Sequence, residues 1–386
     1  MKSVFISNYF NHHQSALSDC FYKLQGQRYA FIQAEEMAVE RKSMGWNNFS
    51  RNYVYNLKSE QAAEIINDAD VIIMGSAPVD AVQWCISSGK LVFRYSERPL
   101  KRGMEPAKFI PRFIKWHWLN PVDKPIYLLS ASAFASLDYS RFGLFRNSAY
   151  KWGYFPECRH YESVDSLIAQ KDKTEILWCG RFIDWKHPDD AIKVAGLLKK
   201  AGYSFSLKFI GTGEMEQQLR LQAEKAGLLD TNVEFLGAMP PEKVRDHMEH
   251  AGIYLFTSDR QEGWGAVLNE AMNSACAVAA SDAIGATPYL VNNGQNGCVY
   301  HSGDVDELFE LVKRLLDNPP LQESLGREAY RTIADLWNAE TAAKRLIKLS
   351  EAILGGEKKP NLFADGPCSK VEIIREDWYV NAHKHN

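Results

Sequence analysis

The chain has 386 residues, 46% of them hydrophobic and 24% charged, which is enough material for two ordinary globular cores. A formal net charge of −3 supplies no overall basic field for nucleic acid, so any anion must be bound locally. Seven cysteines, odd in number and with no Cys-x-x-Cys pair, argue against a disulfide framework or a zinc site and point to a reducing compartment.

In chain order, Met1 to Asn8 contains too short an apolar run for a secretory signal. Nowhere do eighteen uninterrupted apolar residues occur, and the expected location is cytoplasmic. Val4-Phe5-Ile6 reads as a first strand that leads into Asn8-Tyr9-Phe10-Asn11-His12-His13-Gln14-Ser15. Asn11, His12, His13 and Gln14 are candidates for hydrogen bonding a substrate, and His13 for proton exchange near neutral pH; the competing reading is a polar cap on the first helix. Two adjacent histidines alone make a poor metal site. Short apolar runs then alternate with helical stretches: Ala16 to Leu24, Tyr29 to Ile32, Ala62 to Ile66, Val71 to Met74, Leu91 to Phe93 and Ile126 to Leu129. Such alternation predicts parallel strands with crossover helices.

The strand at Leu91 runs out into Arg94-Tyr95-Ser96-Glu97-Arg98. Glu97 is a candidate to orient or deprotonate a substrate hydroxyl, and Arg98 to hold a phosphate; an internal Glu-Arg pair is the alternative. From Arg94 to His117 there are seven Lys or Arg against two Glu, interleaved with Phe109, Ile110, Phe113, Ile114, Trp116 and Trp118. A basic amphipathic segment of this kind, residues 94–118, suits an anionic membrane face; the alternative is a helix that packs its aromatic side on the domain's own core.

Polar residues 159 to 173 read as a linker, after which a second alternation begins. Ile176-Leu177-Trp178-Cys179 is a buried strand, and Pro188 suits the first turn of a helix that carries Ala191, Val194, Ala195 and Leu198. Arg181 and Lys186 flank the loop between them; a guanidinium fork and a compact ammonium suit phosphate oxygens, unless both are simply solvated surface cations. Strands follow at Leu207 to Gly211, Val233 to Gly237, Ile253 to Phe256 and Ala277 to Ala280. Gly211-Thr212-Gly213-Glu214 can approach a nucleotide or merely make a tight turn.

The most informative stretch is Glu262-Gly263-Trp264-Gly265-Ala266-Val267-Leu268-Asn269-Glu270, which reads as loop and helix start after the strand at Ile253. Its glycines let backbone come close to a ligand, and the first N–H groups of the helix, around Gly265, Ala266 and Val267, face an anion. Glu270 lies about two turns in. A helical separation of roughly 12 Å from Glu262 is long for a glycosidase pair at ~5 to 9.5 Å. Two jobs fit better, one carboxylate accepting from sugar hydroxyls and the other from ribose hydroxyls. Beyond Asp304 the sequence is helical, with Leu308, Leu311, Val312, Leu315 and Leu316 on one face, and Asn338 to Leu354 forms a further amphipathic helix before an aromatic tail at Trp378-Tyr379.

Glu262 to Met272, with Ala277 to Asp282 and Gly285 to Pro288, resembles the donor-site signature of glycosyltransferase family 4. Trp178 to Pro188 resembles the family's strand, Gly-Arg, then Trp-Lys-Gly segment, with His187 in place of the usual glycine, and Phe235 to Pro240 resembles its base-contacting loop. The resemblance covers roughly residues 174 to 335. It implies an α/β chain of GT-B architecture, two Rossmann-like domains facing a central cleft: an acceptor domain at 1–160, a donor domain at 174–338, and residues 339–386 crossing back to the first. It further implies a retaining, metal-independent transfer from a nucleoside-diphosphate sugar, UDP foremost, to a hydroxyl of a glycan or lipid-linked acceptor, as in bacterial-type surface polysaccharide assembly. The implied roles put Arg181 and Lys186 on the leaving diphosphate and Glu262 on the donor sugar. Gly180, Gly211, Gly237, Ala238, Gly263, Trp264, Gly265, Ala266, Val267 and Glu270 then complete the donor site. The chain departs from the family at the first strand, which has no Gly-Gly loop, and at Glu97-Arg98, where members often place a histidine. A sugar-nucleotide epimerase, a phosphorylase, or a nucleotide-sugar binding protein without catalysis are the rival readings.

Overall fold

The computed structural model describes residues 1–37 and 50–383. The chain divides into two compact units, Met1–Glu157 with Trp337–Arg375, and Cys158–Leu336 with the stretch from Glu376.

In the first unit the described strands are Ser3–Ser7 (β1), Tyr29–Gln33 (β2), Val54–Asn56 (β3), Val71–Met74 (β4), Leu91–Ser96 (β5), Ile126–Ser130 (β6) and Ala149–Lys151 (β7). All pair in parallel in the order β3-β2-β1-β4-β5-β6-β7. β1, β4 and β6 are buried along their whole length, as strands covered by helices on both faces must be, which is why they show continuous apolar runs rather than alternation. The helices among them are His12–Gln25 (α1), Glu60–Asp68 (α2), Val79–Ser87 (α3), Phe109–Leu119 (α4) and Ala135–Ser140 (α5). The predicted strands at Val4, Tyr29, Val71, Leu91 and Ile126 all form. The two edge strands β3 and β7, three residues each, carry no apolar run long enough to announce them.

In the second unit Asp172–Cys179 (β8), Ser206–Ile210 (β9), Val233–Gly237 (β10), Ala251–Phe256 (β11), Ala277–Ser281 (β12) and Cys298–Tyr300 (β13) form a parallel sheet in the order β10-β9-β8-β11-β12-β13. Its helices are Val164–Gln170 (α6), Pro188–Lys200 (α7), Glu216–Lys225 (α8), Pro241–His250 (α9), Ala266–Asn273 (α10), Thr287–Leu290 (α11), Val305–Asp317 (α12) and Pro319–Arg331 (α13). One core packs Trp178, Phe182, Leu198, Phe209, Leu255, Leu308 and Val312 between sheet and helices.

Residues 159–173, predicted as a linker, are instead part of this unit. Ser163 caps α6 by accepting from the Ser166 N–H at 3.1 Å. Lys171 is buried, and its ammonium donates to the carbonyls of Met248, Glu249 and Ala251 at 2.7, 3.1 and 2.9 Å, satisfying acceptors left at the end of α9. A polar sequence looked solvated here because the carbonyls that bury it lie some eighty residues away.

The chain then returns to the first unit as Ala339–Leu354 (α14), which packs on α1. A final helix, Trp378–His383 (α15), lies in the second unit, where the Trp378 indole donates to the Asp282 carbonyl at 3.0 Å and the Tyr379 hydroxyl to Glu307 at 2.7 Å. In each sheet the strand order doubles back, at β1 and β4 and at β8 and β11. Such reversals open a crevice beyond the carboxyl ends of the strands.

Candidate functional site

In the second unit the loops that follow β8, β9 and β10 are bonded edge to edge. The Phe182 N–H donates to the Thr212 carbonyl and the Gly211 N–H to the Gly237 carbonyl, each at 2.9 Å. The packing is so close that a Cβ on Gly211 would stand 1.9 Å from the Gly180 carbonyl oxygen. The Gly-x-Gly turn is thus required by backbone against backbone, a reason more specific than the tight turn predicted for it. Gly180, Gly211 and Gly237 lie side by side at the ends of adjacent strands, with Ala238 exposed just beyond.

The loop after β8 also meets the loop after β11. Trp178 Nε1 donates to Thr257 Oγ1 at 2.9 Å, and that hydroxyl donates to the Lys186 carbonyl at 2.7 Å; the Asp259 N–H donates to the Trp185 carbonyl at 2.9 Å. This stitching brings Lys186 to Glu262. The ammonium donates to Glu262 Oε2 at 2.5 Å, an oxygen that also accepts from Ser258 Oγ at 3.2 Å, and both charged side chains are largely buried. Trp185 stands between the two cations, with Lys186 Nζ 4.9 Å and the Arg181 guanidinium 5.9 Å from its ring centre. Arg181 is exposed. The structure therefore gathers Arg181, Lys186 and Glu262 at one sheet end, and Thr257, Ser258 and Asp259 join them without having been predicted.

His187 has φ 46° and ψ 50°, the left-handed region. That conformation explains why a glycine is natural at this position and why a non-glycine needs an anchor. Asp259 supplies it, its carboxylate 3.6 Å from Nε2, and raises the histidine's pKa. Asp259 itself is held below its ordinary pKa, because the His187 partnership and the Gln261 amide outweigh its burial.

Gly265 caps α10 with φ 90°, and a Cβ there would strike the Phe256 ring at 2.3 Å. The helix starts at Ala266, so the N–H groups of Ala266 and Val267 open its first turn, while the Leu268 N–H is bonded to the Gly265 carbonyl. Glu270 therefore lies just over one turn in, nearer the helix start than predicted. It is half-buried, burial raises its pKa against the fields of Arg245 and Arg159, and its carboxylate makes no hydrogen bond or ion pair among the described residues. Trp264 needs correction: expected at the donor, it is fully buried and donates to Asn269 Oδ1 at 2.9 Å, so it supports the loop from beneath. Gly263 is buried with it.

In the first unit the ends of β1, β4 and β5 border a cleft of about 870 Å³ whose lining includes Asn11, His13, Glu97 and Arg98. Asn11 proves to be the cap of α1, its Oδ1 accepting from the His13 N–H at 2.9 Å, so its acceptor oxygen is committed to the backbone. His12 packs its ring 3.9 Å from that of His13 and is not part of the lining. Arg98 is also corrected. It is fully buried, and Nε and Nη2 donate to Asp138 at 3.3 and 3.1 Å, with Phe134 beneath the guanidinium, so it does not present itself to an acceptor phosphate. The predicted internal pair exists, with Asp138 as partner in place of Glu97. Glu97 instead holds Lys101 and accepts from the Tyr154 hydroxyl at 2.7 Å.

Helix α4 packs one side on the core of its own unit and exposes the other. Trp116 packs on Phe142 and Tyr139, while Ile110, Ile114 and Trp118 are 69%, 64% and 54% exposed. Among the described residues no helix is long and apolar enough to cross a membrane, and no group of three His, Cys, Asp or Glu is gathered as for a metal.

Residues 162–332 match the model of the group 1 glycosyl transferases. The chain is 27% identical over 203 residues to an uncharacterized glycosyltransferase of Methanocaldococcus jannaschii, covering 51% of each chain. It is 28% identical over 188 residues to the GDP-mannose-dependent monoacylated alpha-(1-6)-phosphatidylinositol monomannoside mannosyltransferase of Corynebacterium glutamicum, covering 47% of this chain and 48% of the relative. The match thus spans about half the length of these curated relatives. Among solved structures, the HepE protein of Anabaena in complex with UDP superposes with a TM-score of 0.67 at 15% identity, over 91% of this chain and all of the other, which shows the fold. Residues 162–332 are therefore similar to the group 1 glycosyl transferases, and the fold is that of the GT-B glycosyltransferases.

Proposed function

We propose that the protein is a retaining glycosyltransferase that moves a sugar from a nucleoside diphosphate to a hydroxyl of a glycan or lipid-linked acceptor, without a metal. The observation that carries this reading is the Lys186–Glu262–Ser258 cluster at the strand reversal of the second sheet, beside the exposed Arg181. Lys186, Arg181 and the N–H groups of Ala266 and Val267 stabilise the negative charge that develops on the departing diphosphate. Glu262 accepts from donor-sugar hydroxyls while keeping Lys186 in place, and Glu270, whose carboxylate has no hydrogen-bond partner among the described residues, accepts from the ribose diol. The bond from the anomeric carbon to the diphosphate breaks, the acceptor oxygen bonds to the same face, and the acceptor proton passes to a diphosphate oxygen. Retention and family 4 membership come from the motif resemblance.

The Corynebacterium relative is named for GDP-mannose and the Anabaena structure holds UDP, so these two nucleotides frame the test. The full chain is incubated with UDP-, GDP- and ADP-sugars, with and without EDTA. Released nucleoside diphosphate and the anomeric configuration of the product are then measured. Turnover of one nucleotide class, unchanged by EDTA and with the donor's configuration kept, is expected; an inverted product or nucleotide binding without any turnover overturns the reading.

The exposed face of α4 adds a second element. Its apolar residues Ile110, Ile114 and Trp118, with Lys108, Arg112 and Lys115 on the same helical segment, suit the anionic cytoplasmic face of a membrane, where a lipid-linked acceptor resides. Sedimentation with phosphatidylglycerol vesicles is expected to be salt-sensitive and to fall on Ile110→Glu with Ile114→Glu. Equal sedimentation of the double variant contradicts it.

A further inference from the structure

One charged side chain in the first unit's cleft has enclosed nitrogens that meet no acceptor among the described residues. Arg94 lies within β5, where its backbone is flanked by Met74 of β4 and Leu128 of β6. Its Nε and Nη1 are enclosed and reach no hydrogen-bond acceptor, and among the described residues no carboxylate pairs with it. Arg98, four residues on and fully buried, makes a fork to Asp138, whereas Arg94 is half-buried with two of its nitrogens enclosed. The contrast is informative because a desolvated cation is tolerated when it is paired or ligated, and the protein supplies a partner to one arginine and not to the other.

The cleft itself is positive. Of its lining side chains Lys101 is neutralised by Glu97, whereas among the described residues Arg102 and Arg112 form no ion pair; the Arg112 guanidinium lies 4.0 Å from the Met104 sulfur and in the field of Glu105. The Tyr139 hydroxyl, a polar group near Arg94, already shares a hydrogen bond with Ser96 Oγ at 3.0 Å. Burial draws the Arg94 pKa down, the direction expected of a cation that awaits a counter-charge, yet guanidinium stays protonated at any working pH.

We propose that Arg94 is the anion-recognising residue of this cleft and that the acceptor bound there carries a phosphoryl group. Three guanidiniums on one cleft lining, those of Arg94, Arg102 and Arg112, match a dianion better than a single carboxylate. At about 870 Å³ the cleft has the size of a small-molecule pocket and admits a phosphorylated sugar. The word acceptor rests on the glycosyl-transfer reading; the anion site rests on Arg94 and its surroundings.

The test uses the full chain saturated with the nucleoside diphosphate that it binds, so that the second unit's site is filled. Glucose 1-phosphate, neutral methyl glucoside, and vesicles containing phosphatidylinositol are titrated by calorimetry or surface capture. A phosphate-bearing probe is expected to bind and methyl glucoside not. Arg94→Gln should weaken that binding at least about tenfold, the loss of a charge-assisted contact. Arg102→Ser should weaken it severalfold, and the nucleotide's Kd should stay unchanged in both. Binding of glucose 1-phosphate assigns a soluble phosphosugar, and binding of vesicles alone assigns a lipid headgroup; both support the site when they depend on Arg94. Should Arg94→Gln fail to fold, Arg94→Lys and Arg102→Ser decide, and wild-type affinity in both overturns the proposal. It is equally overturned when no phosphate-bearing probe binds the wild type. Failure of the glycosyl-transfer reading looks different, since Arg94-dependent binding then persists without donor turnover.

Discussion

Lys186→Ala is expected to lower kcat for donor turnover by about 10²- to 10³-fold, the loss typical of removing one preorganised group that stabilises charge in the transition state. Glu262→Gln is expected to fall by a similar factor, because the amide can still touch a sugar hydroxyl but no longer holds the ammonium as a counter-charge. The two side chains share one hydrogen bond at 2.5 Å and are both largely buried, so their losses overlap. The double variant should therefore be little worse than either single one, a coupling that a double-mutant cycle measures. Each variant should keep the far-ultraviolet circular dichroism of the wild type. Undiminished turnover in Glu262→Gln would remove that residue from the site.

The largest effect on stability is expected from Asp138→Ala. The mutation takes the Asp138 carboxylate from the fully buried Arg98 guanidinium and from the Leu100 N–H, which donates to it at 3.0 Å. Stranding a buried charge costs about 3–5 kcal/mol, a large share of the stability of a typical domain. Arg98→Met with Asp138→Leu removes both charges together and should be far milder. Urea titration of the two variants checks this. A loss below about 1 kcal/mol for Asp138→Ala would show that the pair is not what holds the segment after β5.

What could be read from the sequence divides along a physical line. The central strands were legible because strands buried on both faces leave continuous apolar runs, and Arg181, Lys186 and Glu262 were legible as candidates because each lies in a loop after a strand; the strand order was not, since it follows from pairing between distant segments. Glu270 was placed a turn too deep, since the helix start is fixed by Gly265 against the Phe256 ring, a contact that no local pattern announces. Trp264 looked like a ligand contact because it sits among glycines, and only the Asn269 carbonyl shows that it faces inward. The partners of Arg98, Lys171 and His187 lie 40, 77 and 72 residues away, so their pairing follows from topology alone. Residue 187 itself carried a signal, since a family glycine replaced by histidine marks a left-handed position that needs an anchor. Arg94 was visible only as one cation in a basic stretch. Its lack of a partner becomes apparent once the neighbouring strands enclose it.

The central claim is that a nucleoside diphosphate is held at the carboxyl ends of β8 and β11 by Lys186, Arg181 and the first N–H groups of α10. A crystal structure of the full chain with its preferred nucleoside diphosphate tests it most directly. The account predicts diphosphate oxygens within hydrogen-bond reach of Lys186 Nζ and of the Ala266 or Val267 N–H, with the ribose against Glu270. A diphosphate bound elsewhere, with Lys186 still turned to Glu262 and no ligand at either amide, would contradict it.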